Sequence, residues 1–251
     1  MKILAFALSC VLAIASSALQ AKDYSKLKIA VDVPYEPFEY KAPDGTLTGF
    51  EIDLGNAVCK EIGAECEWVI QAWDGIIPGL LARKYDAIMS SMSITEERAK
   101  KVLFSEGYYN TPSAWFAKKG AGINVSDKAS MKGKRVGVQR GTLQDGYVSD
   151  KLSDVVEIKR YTTADDLVLD LNGGRIDLVF LDFPVGESTI LKDSNYEAVG
   201  DHVQVGDGVG VAFRKRDKDL AEKFNKALKK LKDDGTYDKI MNKYFKYSIK
   251  I

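Results

Sequence analysis

Arg98 stands where a helix disfavours a cation. Residues 84–108 read KYDAIMSSMSITEERAKKVLFSEGY. Ala87-Ile88-Met89 is a short apolar run, read as a buried strand. It breaks into the small hydroxyls of Ser90, Ser91 and Ser93. A helix then starts, capped either by Ser93 in an S-x-x-E box with Glu96, or by Thr95 with Glu96 and Glu97 in the first turn. Either cap leaves Arg98 in the first turn, where the helix dipole favours anions by a few tenths of a kcal/mol, on the order of 0.3–1. A guanidinium fixed beside exposed hydroxyls and free helix N–H groups can receive a carboxylate, because its planar fork matches one bidentately. The alternative is a solvated Arg98 paired with a surface acid.

The elements around this stretch alternate. Residues 27–33 alternate and are rich in branched side chains, so they read as a strand, ending at Asp32-Val33-Pro34-Tyr35-Glu36-Pro37-Phe38, where two prolines stop regular structure. In open α/β sheets that end of a strand is where ligands bind. A helix follows from Phe50 to a stop at Gly63, then a strand over 66–70, then a loop at Trp73-Asp74-Gly75 and a helix, then the strand at Ala87. After Pro112 the same grammar returns. Residues 113–117 are extended, 136–138 form a strand, Gly141-Thr142 opens a helix, and 155–161 form a strand. A helix over 164–171 closes at Asn172-Gly173-Gly174, and 176–181 form a strand ending at Asp182-Phe183-Pro184. Such alternation marks parallel sheets. In the tail, 219–232 form an amphipathic helix with Leu220, Phe224, Leu228 and Leu231 on one stripe. A second helix starts at Asp234-Gly235-Thr236-Tyr237.

The chain has 251 residues, 45% hydrophobic and 29% charged, with 36 basic and 36 acidic side chains. That is enough for one large or two small domains. The balance gives no support to nucleic-acid binding, which needs a basic face. Residues 1–21 read as a signal peptide: Lys2, an apolar run over 3–14, and small residues offering cleavage after Ala18 or Ala21. The run is too short to span a bilayer. Ala7-Leu8-Ser9-Cys10 faintly resembles a lipoprotein box, but the apolar run continues past Cys10. Export leaves Cys59 and Cys66, for which an oxidising compartment suggests one disulfide; two buried free thiols are the alternative. These cysteines and the single His202 do not make a metal-ligand set, and no cofactor is expected.

The motifs Tyr35-x-Pro37-Phe38, Gly49-Phe50-Glu51-Ile52-Asp53-Leu54, Trp73-Asp74-x-x-Ile77-Pro78, Asp86-Ala87, Ser93-Ile94-Thr95-x-x-Arg98, Val136-Gly137-Val138 and Asp234-Gly235-Thr236-Tyr237 run through nearly all of the exported chain. In them the sequence resembles the periplasmic amino-acid-binding proteins of ABC importers, and more closely the lysine/arginine/ornithine and histidine receptors. The resemblance implies an α/β, two-lobed periplasmic-binding-protein fold of type II, each lobe a mostly parallel sheet flanked by helices. Lobe one would be 22–111 plus 204–251, and lobe two 112–203. It implies that Arg98 clamps the ligand carboxylate with Ser91, Ser93, Thr142 and the helix start after Gly141. Asp182 would hold the α-ammonium, Asp32 and Tyr35 the side chain, and Trp73 would stack on the ligand's aliphatic or guanidinium part. Ser90, Gln139 and Gln144 complete the expected set. A monomer is expected, with a small-molecule amino acid and an inner-membrane permease as partners.

Charge balance gives this set its sense, since burying an unpaired charge costs several kcal/mol, on the order of 3–5. Arg98 with Asp182 neutralises a zwitterion, and Asp32 then calls for a cation on the side chain: arginine, lysine, ornithine or histidine. Glu36 could add to that preference or face solvent. Gln139, Arg140 and Leu143 depart from the cationic receptors compared, and Arg140 could bind a second carboxylate, as on an opine. The other alternative on this scaffold is an exported cyclohexadienyl-type dehydratase.

Overall fold

The first strand alternates between solvent and core at its start and is buried on both faces at its end. In β1 (Lys26–Val31) Leu27 and Ile29 are buried while Lys26 and Lys28 are exposed. The computed structural model describes residues 22–251; the signal-peptide reading of 1–21, with Cys10, lies outside the described residues. The hairpin β2 (Tyr40–Lys41) and β3 (Leu47–Thr48) leads into α1 (Phe50–Glu61), which ends at Ile62 before the left-handed Gly63. Then come β4 (Glu65–Ile70), a 3-10 turn at Trp73–Gly75, α2 (Ile76–Leu81), β5 (Ala87–Ile88), α3 (Glu96–Lys101) and β6 (Leu103–Phe104). The chain crosses to a second sheet through β7 (Ser113–Lys118), α4 (Lys128–Met131), β8 (Arg135–Gln139), α5 (Leu143–Leu152), β9 (Glu157–Tyr161), α6 (Ala164–Asn172), β10 (Leu178–Asp182), α7 (Phe183–Thr189) and β11 (Tyr196–Val203). It returns through β12 (Ala212–Phe213) and ends in α8 (Lys218–Asp233) and α9 (Thr236–Tyr244).

Two five-stranded sheets result, in the orders β4-β1-β5-β12-β6 and β11-β7-β10-β8-β9. In each, four strands point one way and one is reversed. β12 runs against β5 and β6, and β7 runs against β10 and β11. Each sheet defines a lobe. The two crossing segments run side by side, with Val209 N–H donating to the Tyr109 carbonyl at 2.8 Å and Tyr108 N–H to the Val209 carbonyl at 3.0 Å.

The first lobe buries one sheet face under α1, α8 and α9. Leu220, Phe224, Leu228 and Leu231 of α8 are all buried there, on the stripe that the sequence spacing indicated. The rings of Phe38, Phe50, Tyr109 and Phe245 meet at 5.1–6.4 Å between centroids. Ile76, Leu80 and Tyr85 fill the other face. Cys59 and Cys66 are disulfide-bonded, tying α1 to β4. Their sequence separation of 7 makes the closed loop small, so the bridge is worth about 2.5 kcal/mol on the chain-entropy account. Replacing both by serine is therefore expected to lower the unfolding free energy by about 2 kcal/mol in denaturant titrations, with folding retained.

Among the elements that escape the sequence pattern, α7 and β11 are the longest. Asp182-Phe183-Pro184 reads as a stop, yet α7 begins there, because proline is tolerated in a helix's first turn where its missing N–H has no partner to lose. β11 has no buried residue, and is an edge strand made by pairing with β7 rather than by its own residues.

Candidate functional site

The first lobe brings its site residues to the C-terminal ends of three adjacent parallel strands. Asp32 follows β1, Trp73 follows β4, and Ser90 to Ser93 follow β5. Ser90 Oγ accepts the Asp32 N–H at 2.9 Å. Ser91 sits at φ +49°, a left-handed conformation unusual for a residue with a Cβ. The capping alternative resolves in favour of Thr95, whose Oγ1 accepts the Arg98 N–H at 3.2 Å. Arg98 is thus the third residue of α3, in its first turn as the sequence required. Its Nη1 donates to the Ser93 carbonyl at 2.9 Å, and its guanidinium lies 5.3 Å from the centre of the Trp73 ring.

The second lobe answers in the same way. Gln139 ends β8, Asp182 ends β10, and Thr142 caps α5 by accepting the Asp145 N–H at 3.2 Å. Gln144 Nε2 donates to Ser113 Oγ at 2.8 Å and to Asp182 Oδ1 at 3.0 Å. The reversed β7 begins at Ser113, directly opposite Asp182 in register, so it adds its first hydroxyl to the same edge.

The two edges face each other and join. Tyr35 Oη donates to Asp182 Oδ2 at 2.6 Å, Gln139 Nε2 to Asp32 Oδ2 at 2.7 Å, and Trp73 Nε1 to the Gly141 carbonyl at 3.1 Å. All eleven residues of the expected ligand set line one cavity between the sheets: Asp32, Tyr35, Trp73, Ser90, Ser91, Ser93 and Arg98 from one side, and Gln139, Thr142, Gln144 and Asp182 from the other. The empty space there is narrow, about 350 Å³ with its solvent-open mouth included. Leu143 and Glu39 complete the lining.

Burial sets the electrostatics. Desolvation pushes the Asp32 carboxyl up to about 6, against the pull of Gln139 and the backbone N–H groups of Trp73 and Val33. It pushes Asp182 up to about 6 as well, against donors from Tyr35, Ser113 and Gln144 and the charge of Arg98. It lowers Arg98 to about 10, partly offset by Glu97 and Asp182. Burial disfavours the charged form of all three, and a partner of opposite sign would stabilise it. Among the described residues the Arg98 side chain makes no other hydrogen bond than that to Ser93.

Three residues considered in the sequence lie outside the lining. Glu36 pairs with Lys192 of the other lobe at 2.9 Å, at the rim. Arg140 is exposed, and His202 packs on the Phe183 ring. The residue that sequence reasoning missed is Glu39, 1% exposed, with Glu51 behind it at 0%.

Comparison with known proteins agrees with this architecture. Residues 27–247 match the bacterial extracellular solute-binding proteins, family 3. The L-arginine-binding protein of Pseudomonas aeruginosa is 44% identical, over 89% of this chain and 89% of its own length. The histidine-binding periplasmic protein of Salmonella typhimurium is 40% identical over 99% of both. Among solved structures, an ancestral arginine-binding protein bound to arginine superposes with a TM-score of 0.83 at 36% identity, covering 88% of this chain and 98% of that one. The fold is that of the type II periplasmic-binding proteins. With both sheets, the cleft between them and nearly the full described length accounted for, this chain belongs to family 3 of the bacterial extracellular solute-binding proteins.

Proposed function

We propose that this chain is the solute receptor of an ABC importer: it binds a cationic L-amino acid, arginine, lysine, ornithine or histidine, and delivers it to an inner-membrane permease. The observation that carries this reading is the charge set of the cavity. Arg98 and Asp182 come from opposite sheets and share one narrow space with Asp32. One cation and one anion match a zwitterion, and the second anion asks for a cationic side chain. The ligand carboxylate lies on Arg98, with the hydroxyls of Ser91, Ser93 and Thr142 beside it. The α-ammonium lies on Asp182, which Gln144 orients. The distal cation lies toward Asp32, flanked by Tyr35, Ser90 and Gln139, and the Trp73 face covers the aliphatic stem. The lobes that close on it are 22–111 with 204–251, and 112–203. Closure is stabilised by contacts that need both lobes, such as Trp73 to Gly141.

Export to the periplasm fits the Cys59–Cys66 bridge and the names of the matched relatives. Binding rather than turnover fits the donors that already hold both cavity acids. Arg140 does not line the cavity, which favours a single-carboxylate amino acid over an opine. Calorimetry of the exported chain, freed of ligand by unfolding and refolding, tests the reading. Micromolar or tighter binding of at least one of the four cationic amino acids is expected. Binding of none of them would sink it, and turnover of prephenate or arogenate would replace it with the enzyme.

The pH dependence has a definite sign. Asp32 and Asp182 titrate at about 6 in the closed cavity, and a cationic partner stabilises their ionised forms. Arginine affinity should therefore weaken as pH falls from 7 to 5, by about tenfold for each acid involved. The unliganded fold behaves oppositely. The folded-state values lie above the unfolded ones, so the stability these acids contribute is present below about pH 4 and is lost as pH rises through 6. The arginine-induced rise in Tm should accordingly shrink on acidification; a shift that grows instead would contradict this assignment.

A further inference from the structure

We propose that Glu39 and Glu51 are positioning residues of this site, a carboxyl pair that holds one proton between them and fixes the Ser90–Ser91 turn on which the ligand rests. The inference rests on the receptor reading above and concerns what stands behind the cavity wall.

A close backbone approach brings the two acids together. Gly49 sits at φ +130°, and a Cβ on it would lie 2.1 Å from the Phe38 carbonyl oxygen and 2.8 Å from Glu39 N. Only glycine lets the start of α1 press against that loop, where Glu51 N–H donates to the Phe38 carbonyl at 2.9 Å. The Glu51 carboxyl then reaches under the serine turn. Its Oε2 accepts the Ser91 N–H at 2.5 Å and the Ser91 hydroxyl at 3.4 Å, and its Oε1 accepts the Tyr108 hydroxyl. Tyr109 Oη donates to Ser91 Oγ at 2.8 Å. The left-handed Ser91 is a strained position, worth on the order of 1 kcal/mol, and these bonds are what retain it. Glu39 Oε1 accepts the Ser90 hydroxyl at 2.9 Å, and Ser90 Oγ in turn accepts the Asp32 N–H.

The second oxygen of Glu39 is the telling atom. Among the described residues, Oε2 is the buried side-chain polar atom with no donor. Its neighbour is the Glu51 carboxyl, the charged group that weighs most on Glu39. Two carboxylates cannot hydrogen-bond, but an acid and a carboxylate can. Glu51 collects the donors, so it is the anion; Glu39 has only Ser90, so it carries the proton and donates it to Glu51. The charged or titratable groups that face the pair are Asp32 at the end of β1, Tyr35 in the loop, Tyr108 and Tyr109 in the crossing segment, and Tyr237 of α9. Asp32 adds a like charge and none of these is a cation. Burial, then Glu51, pushes Glu39 well above the usual carboxyl range. Burial raises Glu51 too, opposed by Tyr108, Glu39 and Ser91.

The cavity wall thus presents a neutral acid beside Asp32. Losing the shared proton at alkaline pH would set two anions against each other and release the turn.

The test uses arginine as the probe. Glu39→Ala removes the donor to Glu51 and the acceptor for Ser90, and should weaken arginine binding about tenfold or more. Glu39→Gln supplies both through its amide and should recover most of that loss. Its affinity should also stay level at alkaline pH wherever the wild type's falls, apart from the decline that titration of arginine's own α-ammonium imposes on both. Infrared difference spectra of the ligand-free protein at neutral pH should show a protonated carboxyl stretch that Glu39→Gln lacks. Equal losses in the alanine and glutamine variants, or no such band in the wild type, would overturn the proposal. A wild type that binds no cationic amino acid would fail the receptor reading instead, and the band alone would then decide the pair.

Discussion

Arg98→Ala is expected to abolish measurable arginine binding, with an affinity loss on the order of 10²- to 10³-fold, because it leaves the ligand carboxylate buried without its cation. Among the described residues the guanidinium makes no ion pair with an acid. Its one side-chain bond runs to the Ser93 carbonyl, and Thr95 fixes the backbone that carries it. Arg98→Lys separates charge from shape. It keeps a cation but loses the planar fork, and the ammonium cannot make two parallel bonds to one carboxylate. A loss of about tenfold to 100-fold is expected for lysine, on the scale of a charged hydrogen bond. Unchanged affinity in Arg98→Lys would refute the bidentate arrangement. The unliganded variants should remain folded. Burial lowers Arg98 to about 10, so the fold tolerates this charge rather than depending on it. The Tm without arginine should hold or rise in Arg98→Ala, and only the arginine-induced shift should disappear.

Arg98 was legible in the sequence for a local reason. A cap and the third residue after it lie within one turn, so their spacing fixes their geometry. The same holds for the strand ends that present Asp32, Ser90 and Asp182. A short apolar run closed by a polar residue is a local pattern, and the sheet places such ends together. Thr142 after Gly141 is legible as a helix cap, and the structure makes it one.

Glu39 and Glu51 were not legible, because each looks ordinary where it stands. Glu51 lies at the start of a helix, where an acid complements the dipole and normally faces water. Glu39 lies in a polar loop after two prolines. Their burial follows from the approach that Gly49 permits between two segments, and no periodicity signals that. β11 was missed for a related reason. Tyr196–Val203 lacks an apolar alternation, and in the chain all of α4 to α7 separates it from its partner β7. Local grammar predicts which residues end strands and start helices; it does not predict which loop presses on which helix.

Asp32→Asn should convert a receptor for cations into one that no longer distinguishes charge at the distal end. Asn keeps the size of the side chain and can still pair with Gln139, whose Nε2 now donates to Asp32 Oδ2 at 2.7 Å. What it removes is the anion, so arginine affinity should fall about 100-fold or more, the scale of unpairing a buried charge. Citrulline, a neutral isostere of arginine, should bind both proteins within about threefold, below the value of one net hydrogen bond. Equal losses for arginine and citrulline would mean that Asp32 shapes the cavity without reading charge. The unliganded fold should move the other way. Keeping a carboxyl ionised at pH 7 when its folded value is about 6 costs about 2–3 kcal/mol relative to the unfolded chain. Asp32→Asn should recover part of that, raising the Tm without arginine while destroying the response to it. A gain in stability together with a loss of cation selectivity cannot come from general damage. It would identify Asp32 as a charge held in the cavity at the expense of the fold, for a partner that must bring the opposite sign.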